Sequence, residues 1–261
     1  MTNLYLETFS GISGDMFIGA LLDLGIDFKE FQKRLSLLGV KGYKLSLKRV
    51  AHSSIFGTDF KTYLATSNKD DRRIKKTEKI SSEHIIHHRG LNDILKLIKN
   101  SKLSDYVKKH SIAVFKDIGK AEANVHHLPL EKVHFHEVGA LDSIVDIVGA
   151  FVGLEMLQVK QVYCSEVCDG SGFINVAHGV MPVPVPAVMQ MRVGAQIPVR
   201  QLNNIRTELV TPTGMGILKE IVNNYESVPK DWEIKQIGYG FGDKKIPQFN
   251  ALRILKCEKK N

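Results

Sequence analysis

Residues 144–157, Ile-Val-Asp-Ile-Val-Gly-Ala-Phe-Val-Gly-Leu-Glu-Met-Leu, constrain this chain more than any other stretch. The run is too long for an ordinary strand and apolar on every side, so it reads as a helix buried in a core. It is also too short for a membrane span, and it carries Asp146 and Glu155. Asp146 is flanked by Ile144, Val145, Ile147 and Val148. A buried carboxylate without a partner is costly, so Asp146 requires a metal ion or a cationic side chain.

The residues just upstream favour the metal. His134-Phe-His-Glu-Val-Gly-Ala-Leu-Asp142 places two imidazoles and two further carboxylates ahead of the helix. In extended chain His134 and His136 project to one side and Glu137 to the other. In a helix starting near Asp142, Asp142 and Asp146 share a face. A strand end and a helix start can thus aim up to four N and O ligands at one point, which suits a divalent cation. Three simpler roles stand beside this: Asp142 as a helix N-cap, Asp146 in a structural salt bridge, and the histidines as hydrogen-bonded core residues.

The rest of the chain reads as mixed α/β, with a strand-loop-helix N-terminus, a helical middle and C-terminal strands. Leu4 to Phe9 reads as a strand and Met16 to Leu24 as a helix stopped at Gly25. Phe28 to Leu38 has helical period, Tyr43 to Val50 alternates as a strand, and Gly57 with Thr58 to Ala65 suggests a hairpin. Ser67 to Ser82 is polar and charged, a mobile insertion. Leu91 to Lys99 and Ser104 to about Val125 read as helices, the second capped by Ser104. Gln161 to Ser165 reads as a strand, Met181 to Ala187 as a stiff Pro-rich entry to a helix, and Gly214 to Asn223 as a helix opened by Thr211-Pro212. Strands over Trp232 to Gly238 and Ala251 to Lys256 close a single domain, 1–261.

Other positions carry chemistry. The loop Ser10-Gly-Ile-Ser-Gly14 between a strand and a helix resembles an anion cradle, with Gly11 and Gly14 allowing backbone to approach a ligand. Asp15 repels bare phosphate there, which argues for a metal between them or for plain capping. The Lys-Ser/Thr ending of a Walker loop is absent. His84, His87 and His88 cluster beside Arg89, which suits phosphate, although exposed surface histidines are the simpler reading. Thr211, Thr213 and Gly214 offer a second anion site or ordinary capping, and Ala177-His178-Gly179 a lip to a shared pocket. No Gly-x-Ser-x-Gly elbow is present.

Composition narrows the classes. Three cysteines, Cys164, Cys168 and Cys257, make no disulfide framework. The net charge is +8, but Lys69 to Lys79 holds +3 of it and Lys256 to Asn261 holds +2. With the excess in a loop and a tail, and no basic helix, nucleic acid is not the expected partner. No signal peptide or membrane span is visible, so a cytoplasmic protein is expected.

Taken together, Phe9 to Met16, His87-His-Arg89, His134 to Gly149, Ala177-His-Gly179 with Pro182 to Pro186, and Glu208 to Gly214 resemble the nickel-insertion proteins of the LarC type. The resemblance implies loading of Ni²⁺ into a pyridinium bisthiocarboxylate mononucleotide, the cofactor precursor for lactate racemase. It implies consumption of CTP with Mn²⁺ or Mg²⁺, and contact with the racemase apoprotein as a further partner. It makes Asp15 and Asp146 the candidate catalytic residues. Ser10, Gly11, Ser13, Gly14, Arg89, Thr211, Thr213 and Gly214 become nucleotide ligands, and His87, His88, His134, His136, Glu137, Asp142 and Asp146 metal ligands. The family's C-terminal domain is absent, so the chain reads as an N-terminal half whose chelatase activity is incomplete alone. A non-catalytic nickel carrier and a metal-dependent phosphohydrolase are the alternatives.

Overall fold

The computed structural model describes residues 2–64, 90–135, 138, 140–176 and 178–260. The expected insertion at 67–82, together with His84, His87, His88, Arg89, His136, Glu137 and Ala177, lies outside the described residues.

Strand β1 (Thr2–Glu7) leads to helices α1 (Gly14–Asp23) and α2 (Phe28–Ser36), then strands β2 (Tyr43–His52) and β3 (Ile55–Leu64). Helices α3 (Leu91–Asn100), α4 (Asp105–His126) and α5 (Leu141–Met156) form the middle. Strands β4 (Val159–Cys164), β5 (Val167–Asp169), β6 (Phe173–Val176) and β7 (Gly179–Pro182) follow, then α6 (Pro186–Arg192), β8 (Val199–Gln201) and α7 (Pro212–Ile221). Strands β9 (Asn224–Tyr225), β10 (Trp232–Phe241) and β11 (Ala251–Lys259) complete the mixed α/β fold.

One sheet organises the molecule, in the order β2-β3-β10-β11-β1-β4-β9. β1 sits inside it, antiparallel to β11 and parallel to β4, with Leu4 facing Lys256 and Val162. A strand covered on both faces needs a continuous apolar run, and Leu4, Tyr5 and Leu6 supply it. Leu4 and Leu6 join the main core with α1, α4, α5 and α7. Tyr5, turned the opposite way, joins Trp232, Leu255 and Cys257 in a smaller cluster.

Helix α1 lies directly on β10. A Cβ added at Gly240 would fall 1.8 Å from the Met16 carbonyl oxygen, so only glycine permits this approach. The far end of α1 is pinned by Asp23, which accepts from the Tyr239 N–H (2.9 Å) and the Thr58 hydroxyl (3.1 Å). α5 packs on α1, and Ile144, Val145, Ile147 and Val148 are fully buried, as an apolar helix requires.

Two expectations change in detail. The β2–β3 hairpin turns at Ser53-Ser54, both left-handed (φ 49° and 64°), while Gly57 lies inside β3 against Tyr239. A two-residue turn whose twist matches the strands needs positive φ at both positions, and serine takes it here. Helix α5 begins at Leu141 with Ala140 as its N-cap, so Asp142 is not the cap. Asp142 lies in the first turn, where its carboxylate accepts from the Ser143 N–H (2.8 Å) and suits the positive end of the helix dipole. Ser104 and Thr211 do cap α4 and α7, accepting from the N–H groups of Val107 (3.2 Å) and Gly214 (3.1 Å).

Candidate functional site

The start of α1, the first turns of α5 and the middle of β3 meet in an acidic cluster. Gly14 makes the meeting possible, since a Cβ there would lie 2.7 Å from the Cβ of Asp146. Asp15, in the first turn of α1, accepts from the Ser13 hydroxyl and from Lys61 Nζ (3.1 Å). Asp146, one helical turn beyond Asp142, accepts from the Thr62 hydroxyl (3.1 Å). Lys61 also pairs with Asp59 (3.4 Å) and with Asp243, two residues beyond β10.

Charge is unevenly matched here. Lys61 is paired with three carboxylates, Asp15, Asp59 and Asp243, and a fourth, Asp146, feels its charge together with those of Asp15 and Asp142. Burial pushes the Asp146 carboxyl well above its ordinary range, and the charges of Asp15 and Asp142 push it further. The Thr62 hydroxyl and Lys61 oppose this and do not overcome it. Burial favours loss of the Lys61 proton, but Asp15 and Asp243 outweigh it, and the ammonium is held more tightly than usual. A site that strains to keep its carboxylates charged is one where an added cation is bound favourably.

The cluster does not close into a complete ligand set. Among the described residues no three His, Cys, Asp or Glu side chains converge as a metal site. His134 is not drawn onto Asp142 and Asp146; it is exposed and forms an isolated bridge with Gly90 ahead of α3. The expected convergence of four ligands is therefore not found among the described residues. What exists is an open pair, Asp15 and Asp146, with Asp142 nearby. Mg²⁺ commonly binds through one or two carboxylates plus phosphate oxygens and water, and such a pair fits it.

The loop cradle is mostly consumed by packing. The Ser10 hydroxyl donates to the Phe249 carbonyl (2.8 Å) and accepts from Gln248 Nε2 (3.0 Å). The N–H groups of Gly11 and Ile12 donate to the Thr8 and Leu209 carbonyls. Gly11, at φ 78°, lies against the Leu209 carbonyl, and Gly14 against Asp146 rather than against a ligand space. Thr211 caps α7 and shares a hydroxyl hydrogen bond with Thr213 (2.8 Å), and Gly214 packs on the Ile12 carbonyl. The segment 209–214 is thus the clamp on the loop, and capping accounts for its threonines. The physical reason is backbone satisfaction: a buried loop must pair its own polar groups.

Lys61, Thr62, Asp59 and Asp243 were not singled out by sequence reading. A lysine inside the alternating strand Thr58-Asp-Phe-Lys-Thr62, and an Asp-Lys-Lys run after Gly238-x-Gly-x-Gly242, were the available signals. Asp59 and Asp243 also line a cavity of about 440 Å³ that holds Lys244, Lys245 and the rings of Phe241 and Phe249. The two rings meet edge to face at 5.6 Å. The three cysteines are buried free thiols; burial raises Cys164 to about 12, far from a reactive thiolate. Among the described residues no helix is long and apolar enough to cross a membrane.

Comparison with known proteins bears on this geometry. The pattern of the family described as nickel insertion protein matches residues 4–261. The chain is 53% identical to the pyridinium-3,5-bisthiocarboxylic acid mononucleotide nickel insertion protein of Lactiplantibacillus plantarum, over 100% of this chain and 62% of that protein. Proteins of the same name from Acetivibrio thermocellus and Geobacillus kaustophilus are 43% and 41% identical, each over 98% of this chain and 60% and 59% of their own length. The chain thus spans about 60% of the length of the curated relatives it matches. The expectation of a chelatase incomplete by itself is not borne out by these alignments, which take in nearly all of this chain. No solved structure matches.

Proposed function

The chain belongs to the nickel insertion protein family, and from that premise we propose that it inserts Ni²⁺ into pyridinium-3,5-bisthiocarboxylic acid mononucleotide, with CTP consumed alongside. The observation that carries the reading is the half-buried Asp146, crowded by Asp15 and Asp142, with Lys61 the one cation acting on it among the described residues. Such a cluster calls for a second cation, and Mn²⁺ or Mg²⁺ supplies charge neutralisation there when bound with phosphate.

This chain's own residues then have distinct tasks. Asp15 and Asp146 hold the cation from α1 and α5, and Thr62 fixes the Asp146 carboxylate. Lys61 keeps Asp15 and Asp243 oriented and gives a phosphate oxygen a fixed positive partner. The cavity beside Asp243 takes a mononucleotide, with Phe241 and Phe249 against its ring and Lys244 and Lys245 towards its phosphate. Nickel is cargo: its bound water and imidazole are exchanged for thiocarboxylate sulfur, a softer ligand that holds it more firmly. The product serves lactate racemase, with its apoprotein as a partner, in the cytoplasm, and residues 1–261 act as one domain.

The test supplies the chain, or its Asp146→Asn variant, with Ni²⁺, Mn²⁺, CTP and the precursor, alone and with the remaining part of a full-length relative. Mass spectrometry follows nickelated mononucleotide and CTP breakdown. Product from the parent chain and none from the variant is expected. Nickel binding without product in either mixture points to a carrier and overturns the reading. CTP breakdown that ignores both nickel and precursor points to a phosphohydrolase.

A further inference from the structure

A second cavity, of about 420 Å³, lies between the end of α4, the β6–β7 hairpin and the starts of α6 and α7, and the acidic cluster does not use it. Its walls are largely apolar, including Val125, Val138, Val185 and Pro186. Its polar residues are Glu122, His126 and His178, with the Met181 thioether beside them. Glu122 and His126 are one turn apart on α4, and His126 Nε2 lies 3.3 Å from a Glu122 carboxylate oxygen. His178, from the β6–β7 turn, brings its ring centroid to 4.8 Å from that of His126, with the planes tilted by 43°.

Each part of this arrangement favours a cation with affinity for nitrogen. His126 is the last residue of α4, where the helix dipole is negative. A carboxylate on one ring nitrogen fixes the tautomer and the orientation of the ring, as second partners of metal-bound histidines do. Imidazole suits Ni²⁺ and its neighbours far better than Mg²⁺ or Ca²⁺. Two imidazoles leave most of a nickel ion's coordination positions open. The space beyond falls within the roughly 300–1,000 Å³ of small-molecule pockets, enough for an organic ligand to approach.

We propose that His126 and His178 form an open docking site for Ni²⁺ on the wall of this cavity, with Glu122 as the positioning residue for His126. The proposal deepens the nickel-insertion reading and rests on it for the identity of the metal. An open two-imidazole site holds the ion while leaving it exchangeable, as cargo must be.

The test is equilibrium dialysis of the whole chain against Ni²⁺, with no precursor or nucleotide present. His126→Asn/His178→Asn is expected to bind one nickel ion fewer than the parent. Glu122→Gln is expected to weaken that ion's binding by about tenfold or more. His127→Asn, a neighbour pointing to solvent at a left-handed position asparagine tolerates, is expected to change nothing. An unaltered number and affinity in the double variant overturns the proposal. If circular dichroism shows the double variant unfolded, Glu122→Gln decides alone, and unchanged affinity there overturns it. A dialysis site without nickelated product refutes the nickel-insertion reading and leaves the site standing. Product with unaltered binding in the double variant does the reverse.

Discussion

Two aspartates, one fully and one partly buried, show how differently this fold treats a negative charge withdrawn from water. Asp169, at the end of β5, is 1% exposed, and its Oδ1 accepts from the N–H groups of Gly170 (2.7 Å), Leu209 (3.0 Å) and Val210 (3.1 Å). Burial still raises its carboxyl above the ordinary range, with the three N–H groups pulling the other way. Asp146 has one hydroxyl donor and two neighbouring carboxylates, whose charges add to the effect of burial. Fixed dipoles meet one oxygen of the first carboxylate, whose Oδ2 is buried without a hydrogen-bond partner among the described residues, and the second is left to be met from outside. The first arrangement builds structure, because it ties 209–210 down as the clamp on the Ser10–Ile12 loop. The second stores an affinity for a cation.

The largest effect expected from breaking this contrast is at the structural aspartate. Asp169→Ala removes the acceptor for three backbone donors, and Leu209 and Val210 are buried. Leaving them unsatisfied costs roughly 3–5 kcal/mol in total. Urea unfolding measures it, and a loss below about 1 kcal/mol would show that the N–H groups find water instead. At the other aspartate the expected loss is of response. Mn²⁺ at a hundredfold excess over its Kd stabilises the parent by about 2.7 kcal/mol. Asp146→Asn, which keeps an oxygen for the Thr62 hydroxyl, is expected to show none of that rise in a thermal melt. An equal rise in the variant would place the cation elsewhere.

The contrast also explains what sequence could reveal. Asp146 was legible because its apolar neighbours on α5 forced the question of a partner, and Asp15 because it opens a helix after a glycine-rich loop. Caps at Ser104 and Thr211 were legible because they depend on residues three apart. Lys61, Thr62 and Asp243 were not, because only the sheet order brings β3 beside β10 and under α1. The cradle reading failed for the same reason: the donors of Gly11 and Ile12 are spent within the 8–11 turn and on Leu209, nearly two hundred residues away. Asp169 drew no attention in a glycine-rich loop, where nothing local predicts that Leu209 and Val210 will donate to it.

The meeting of α1 and α5 can be sharpened more gently. Gly14→Ala places a methyl 2.7 Å from the Cβ of Asp146 and separates the two helices at that end. Overpacking of this kind costs about 2 kcal/mol. The same change moves Asp15 away from Asp146, so cation-dependent stabilisation is expected to weaken too. A variant that loses stability but keeps the full cation response would show that Asp146 binds without Asp15.

The smallest effect is in pH, and its sign is fixed by the direction of the shift. The folded-state pKa of Asp146 lies above its ordinary value of 3.8, so across that window the folded chain holds more protons than the unfolded chain. Stability contributed by this group therefore falls as pH rises through the window and is recovered on acidification, by at most about 1.4 kcal/mol per pH unit. Asp169 shifts in the same direction, so the curve of the parent alone cannot isolate Asp146. The difference between the parent and Asp146→Asn does. Without metal, the variant is expected to be the more stable near pH 7, and its advantage shrinks as pH falls towards 3.8. With saturating Mn²⁺ the order near pH 7 reverses, because the cation rewards the charge that burial penalised. An advantage that persists unchanged with Mn²⁺ would make Asp146 merely a strained residue, and would erase its difference from Asp169.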